Sequence, residues 1–270
     1  MLILSQFVLR LSLGLAFAMA ITSPKKVTSG YFRNHAYVLL GLNVLAVLAA
    51  LADQSQLLLA PPIVAAVASY LCAAAWLYEK PKLGTTLLVL ILYFSFVGAC
   101  SDLQVQQSGY VQSYQNVFFL VPGMFSHFIL RLFISFFLDP LTAGLLVGGT
   151  LAAMFLGHWY LNSPTMEIAP LKKLLKLMAI AAVARAAVCL TAMLLMLWQG
   201  QELSTVQTWL LVLRWTAGIL GTTALTWMAW ETLKIPNTQS CTGILYVAVL
   251  ATFLGELTSL LLSAGTGYPL

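Results

Sequence analysis

Charge is what this sequence has least of. Only 8% of its 270 residues are Asp, Glu, Lys or Arg, where soluble domains carry about 25%. So little polar surface excludes a water-soluble globular domain. Cysteine is scarce too: Cys72, Cys100, Cys189 and Cys241 are the full set. None forms a CxxC pair or a Cys/His cluster, so neither a disulfide framework nor a zinc site is expected. No HExxH, GxSxG, Walker A or CxxCH occurs, and no enzyme class is indicated by motif. Short alternating segments are missing, which excludes a membrane β-barrel. Lys and Arg outnumber Asp and Glu by 13 to 8. They sit in short clusters between apolar runs, the pattern of membrane loops, so no nucleic-acid partner is expected.

Long apolar runs are abundant. Hydrophobic residues make up 61% of the chain. Runs over about 2–22, 35–53, 59–78, 83–101, 141–161, 174–197, 206–230 and 243–263 each reach the roughly twenty residues that cross a bilayer. The first resembles a signal peptide, with Ala18-Met19-Ala20 as a cleavage site. It lacks a basic n-region and carries Arg10 inside a long apolar run, so it reads as a retained helix. The fold class is therefore all-α: a polytopic helical membrane bundle of about eight spans, in one transmembrane domain over 1–270.

The stretch 117–138 is ambiguous, and loop charge decides how it is read. Lys25, Lys26 and Arg33, then Lys80 and Lys82, then Lys172, Lys173 and Lys176, then Lys234 mark four basic segments. The segments 54–58, 102–116 and 198–205 and the tail after 263 carry no Lys or Arg. The positive-inside rule puts the basic segments in the cytoplasm and both termini outside a plasma (inner) membrane. An even number of spans must then separate Lys82 from Lys172, which leaves 117–138 on the outer face. His127, Arg131, Ser135 and Asp139 recur every fourth residue there. That single polar stripe on a Phe-rich segment predicts an interfacial amphipathic helix over about 122–138. Nine spans is the alternative.

Ionisable residues within the spans are costly, and each is a functional candidate. They are Arg10, Arg185, Arg214 and Glu256. At the rise of an α-helix, Arg10, Arg214 and Glu256 come to one level, roughly 10–12 Å below the outer face. Arg214 and Glu256 are expected to pair. Three arginines facing one carboxylate leave two positive charges without an acidic partner. Arg10 is the one expected to reach outward to the interface. Arg185, deepest of the three, points to a pocket for a lipid head group, haem propionates, a quinone oxygen or an anionic substrate.

The stretch GHWYLNSP ends a glycine-rich span. Gly144, Gly148 and Ala152 lie four apart there, with Gly149, Ala153 and Gly157 alongside, and Ala182 and Ala186 straddle Arg185. Small residues at that spacing let helices approach closely. His158 and His35 fall near the same cytoplasmic depth. Two imidazoles at one depth could ligate haem b iron if their helices were neighbours. Trp159 and Tyr160 suit an interface belt. These features read as an integral membrane subunit of a bacterial-type electron-transfer or energy-coupling complex, binding a quinone or haem b. Its partners would be the lipid bilayer and other membrane or peripheral redox subunits. In architecture alone it resembles quinone-reactive membrane anchors of bacterial oxidoreductases. A small anion transporter or channel, or a ligand-free assembly subunit, is the alternative.

Overall fold

The computed structural model describes residues 2–52, 59–115, 130–163, 166–235 and 237–270, with side chains left out over 101–115. The described residues are mostly helical, with no strand among them. The helices are α1 (Leu2–Ile21), α2 (Ser29–Ala52), α3 (Ala60–Leu77) and α4 (Pro81–Gln115). After them come a π-helical turn π1 (Ile134–Leu138), α5 (Asp139–Asn162) and α6 (Ala169–Trp198). The chain ends with α7 (Thr205–Leu213), a second π segment π2 (Arg214–Gly221), α8 (Thr222–Thr232) and α9 (Thr238–Thr266). Among the described residues, seven helices are long and apolar enough to cross a membrane, as in a multi-pass membrane protein. The run α7–π2–α8 is continuously helical and forms an eighth apolar stretch.

Local chemistry sets the helix ends. Proline, which needs no N–H partner in a first turn, opens α3, α5 and α6. Ser204 and Gln207 form a reciprocal capping box on α7. Asn237 caps α9 by accepting from the Ser240 N–H at 2.9 Å. Gly267, at φ 70°, ends α9 in the left-handed region open to glycine.

α1 is the central helix. Every residue from Ser5 to Ala16 is buried, so no face of it is left for lipid. α5 lies against it in parallel, and the two cross at glycines. A Cβ on Gly14 would stand 1.7 Å from the Gly144 carbonyl oxygen, and one on Gly148 2.3 Å from the Leu15 nitrogen. The backbones touch because neither helix has a side chain there. A polar contact ties α1 to α2 and α4 as well. Asn43 Nδ2 donates to Ser12 Oγ at 2.9 Å, and Ser12 and Ser95 hydroxyls lie 3.1 Å apart. Such inter-helix bonds in lipid contribute about 0.6 kcal/mol on average, up to about 1.7. Asn43→Leu is therefore expected to lower thermal stability by about 1 kcal/mol. An unchanged melting temperature would show the contact to be idle.

The basic turns gather at one end. Lys26 pairs with Glu167 at 2.6 Å. Trp159 Nε1 donates to Thr28 Oγ1 at 3.0 Å, and Lys173 Nζ to the Ile21 carbonyl at 2.8 Å. Phe32 stacks on Trp76, just before the Lys80 turn, at 4.3 Å. Trp159 thus clamps a loop rather than merely marking an interface. At the opposite end, Arg131 donates to the Gly267 carbonyl at 2.7 Å and lies 4.1 Å over the Tyr268 ring. The Tyr268 hydroxyl donates to Gln199.

The interfacial helix expected over 122–138 falls outside the described residues up to 129, His127 included. Its described part is continuous with α5, one helix from Leu130 to Asn162. The end of the polar stripe at Ser135 and Asp139 faces inward. Ser135 and Asp139 are 3% and 2% exposed, while Phe133 and Phe137 are each 51% exposed. α4 runs on to Gln115, beyond its apolar stretch Pro81–Cys100.

Candidate functional site

The inward stripe matters because Asp139 joins the buried arginines. Arg10 Nη2 lies 2.6 Å from Asp139 Oδ2. Arg185 Nη1 reaches the other oxygen, Oδ1, at 2.5 Å. Arg185 then turns its other edge to Glu256, with Nη2 at 3.1 Å from Oε2 and Nε at 3.2 Å from Oε1. Arg214 Nη2 closes the series on Glu256 Oε1 at 2.9 Å. The result is one alternating chain, Arg10–Asp139–Arg185–Glu256–Arg214, running through α1, α5, α6, α9 and π2. All five side chains are at most 3% exposed. Arg185 is its centre, and its planar fork suits two carboxylates at once.

The expected charge balance is corrected accordingly. Asp139 supplies a second carboxylate, so three guanidinium groups face two acids and one formal positive charge is left over. Arg10 does not reach outward: it is 2% exposed, clasped by Asp139 and by Gln6 Oε1 at 3.2 Å. Arg214 and Glu256 are in contact, as their shared level suggested, but Glu256 is shared with Arg185.

Both π turns adjoin this chain, π1 directly before Asp139 and π2 starting at Arg214. The cause of π1 is local. Pro140 has no N–H to give and its ring crowds the carbonyl of Phe136, one turn earlier. A wider turn relieves that clash. The Phe136 carbonyl instead accepts from the Cys100 thiol at 2.9 Å. At π2, Gly218 packs on Gly255 of α9, each leaving space for Arg214. A Cβ at either glycine would lie 3.0 Å from Arg214 Nη1.

Some buried polar atoms in and beside the chain have no hydrogen-bond partner. They are Arg214 Nε and Nη1, Gln6 Nε2, Ser135 Oγ and Thr222 Oγ1. A buried group left unsatisfied costs about 1–3 kcal/mol. Such atoms in a native interior call for water or a ligand. On the far side, Arg185 Nη2 donates to Ser259 Oγ at 2.8 Å, and Ser259 in turn donates to the Leu270 carbonyl.

The histidines are not brought together. His35 is buried, its Nδ1 on the Tyr31 carbonyl and its ring 4.8 Å from Phe155. α2 and α5 are thus neighbours at that level. His158, however, is exposed and turns to α9, its Nδ1 3.2 Å from the Tyr246 hydroxyl. One imidazole is packed between the Tyr31 and Phe155 rings and the other faces outward, so this pair does not fit as the two axial ligands of one haem. No group of three or more His, Cys, Asp or Glu suited to a metal ion occurs among the described residues.

Asp139 is the functional candidate that sequence reasoning missed. Its signal was present: an acid four residues after Ser135, next to a proline that opens an apolar span. Comparison with protein families, curated proteins and solved structures finds no match for this chain.

Proposed function

We propose that this protein is a multi-pass integral membrane subunit of an electron-transfer or energy-coupling assembly, and that it holds a quinone against the buried charge chain. The observation that supports this reading is the chain itself. Five charged side chains are sealed inside an apolar bundle, where hydrophobic residues of similar volume would hold the helices as well or better. Charges kept at such cost within membrane spans mark ligand or ion sites. One guanidinium in excess provides donors for the carbonyl oxygens of a quinone head group. Haem b is not part of this reading, because His35 and His158 face different neighbours. A second reading, an anionic substrate, draws on the same excess of positive charge.

In this reading the basic end lies in the cytoplasm and both termini lie outside the plasma membrane. The charge chain then sits nearer the outer face. Solvent extraction of the purified protein, followed by chromatography, is expected to yield quinone in near-stoichiometric amount. A quinone-free protein that carries an anion into proteoliposomes would overturn this reading in favour of the second. Topology is checked separately, in a background lacking the native cysteines. Lys25→Cys and Gln201→Cys, both at exposed positions, should react with an impermeant thiol reagent from opposite sides. Labelling of both from one side would defeat the arrangement.

A further inference from the structure

The inward face of α7–π2–α8 holds three of the unpartnered atoms. Burial recurs at Arg214, Gly218, Thr222 and Thr226, one residue in four. An α-helix alone would rotate such a series slowly out of line, and the wider π turn offsets the drift. Arg214 and Thr222 therefore flank Gly218, where π2 touches Gly255 of α9. Both side chains are 0% exposed. Arg214 uses only its Nη2, toward Glu256 and the Cys189 sulfur at 3.6 Å. Its Nε–H and both Nη1–H groups are without an acceptor, and the Thr222 hydroxyl is unpartnered too.

We propose that Arg214 and Thr222, on either side of the Gly218–Gly255 contact, form the subsite that receives a carbonyl oxygen of a membrane quinone. This rests on the quinone reading above and assigns it a place. The chemistry is specific to an acceptor: guanidinium N–H groups only donate, and a hydroxyl can donate too. Glu256 Oε1 holds Arg214 through Nη2, at 2.9 Å, and leaves Nε and Nη1 free. The outer surfaces of the same elements are apolar, with Leu220 61% and Leu254 43% exposed. A lipid-soluble ligand is the kind that such a surface admits from the bilayer. Arg185 plays another part, since its donors are directed to Asp139, Glu256 and Ser259.

The test is binding of decyl-ubiquinone to the protein in lipid nanodiscs, for wild type, Arg214→Lys, Thr222→Val and Gly41→Ala. Thr222→Val removes a hydroxyl that makes no hydrogen bond, so it preserves the fold and keeps the test valid if Arg214→Lys proves unstable. Gly41 serves as control, because a Cβ added there would meet nothing within 4 Å. Thr222→Val is expected to raise Kd about three- to tenfold, the worth of one hydrogen bond. Arg214→Lys should raise it more, and Gly41→Ala should leave it unchanged. Wild-type binding that neither Arg214→Lys nor Thr222→Val weakens would overturn the subsite and leave the quinone reading standing. Absence of wild-type binding, with chloride or nitrate bound instead, would overturn both.

Discussion

Arg185→Met is expected to be the most damaging single substitution in this protein. It removes the centre of the charge chain and leaves Asp139 facing only Arg10, and Glu256 facing only Arg214. Met matches the bulk of the stem but supplies no donors. Each carboxylate keeps one guanidinium but loses its bonds to Arg185, and hydrogen bonds to charged groups contribute about 1.5–3 kcal/mol each, so the two losses together cost about 3–6 kcal/mol. For a chain of this size that is a fall of about 10 °C in melting temperature. Arg185→Lys should recover only part of it, since one ammonium cannot serve both carboxylates with a planar fork. Neutralising the acids as well, in Arg185→Met with Asp139→Asn and Glu256→Gln, should lower stability further, because Arg10 and Arg214 are then buried without a counter-charge. A melting temperature for Arg185→Met within about 2 °C of wild type would refute the idea that the chain holds these helices.

Gly14→Ala should have the second largest effect. The added methyl would stand 1.7 Å from the Gly144 carbonyl oxygen and 2.9 Å from the Gly148 Cα. Both are backbone atoms, so no flexible side chain can yield. α1 is enclosed on all faces and cannot shift toward lipid. Overpacking costs about 1–3 kcal/mol, and a backbone collision inside a closed crossing belongs at the upper end. The same change pushes Arg10 away from Asp139, one turn outward of the crossing, and so adds to the loss. Gly41→Ala is the internal control, because nothing lies within 4 Å of its Cβ position. There, helix propensity should stabilise slightly, by up to about 0.8–1 kcal/mol. Equal melting temperatures for the two variants would show that the α1–α5 crossing is loose enough to admit a methyl group.

The helical frame was legible because apolar length is a local property. Runs such as 2–22 and 243–263 became α1 and α9 with small shifts at their ends. The tight α1–α5 crossing had half its signal in the glycine spacing of Gly144 and Gly148. Its other half, Gly14, is a lone glycine that no spacing singles out. The polar stripe through Arg131, Ser135 and Asp139 was seen, but periodicity shows that a face exists and not what it meets. Loop charge favoured the outer surface, and packing turned that face to Arg10 and Arg185. Arg214 and Glu256 could be matched by depth because each lies well inside its span. Asp139 could not, since it stands at a span boundary beside Pro140. The histidines show the limit of depth matching. His35 and His158 are on adjacent helices, yet their rings point to Phe155 and Tyr246, and direction around a helix depends on the whole bundle.

The enclosed position of α1 sets the order in which the molecule can be completed. Synthesis delivers Arg10 first, yet Asp139, its counter-charge, follows more than a hundred residues later, and Glu256 later still. An isolated helix entering the bilayer with that arginine pays about 2.5–3.5 kcal/mol on insertion scales. The nascent first helix must therefore be held by the insertion machinery or by α2 and α4 until α5 arrives. Only the last helix joins Arg185 to Arg214. The charge chain thus closes with α9, and a nascent chain halted before α9 carries two arginines in excess of its one buried carboxylate.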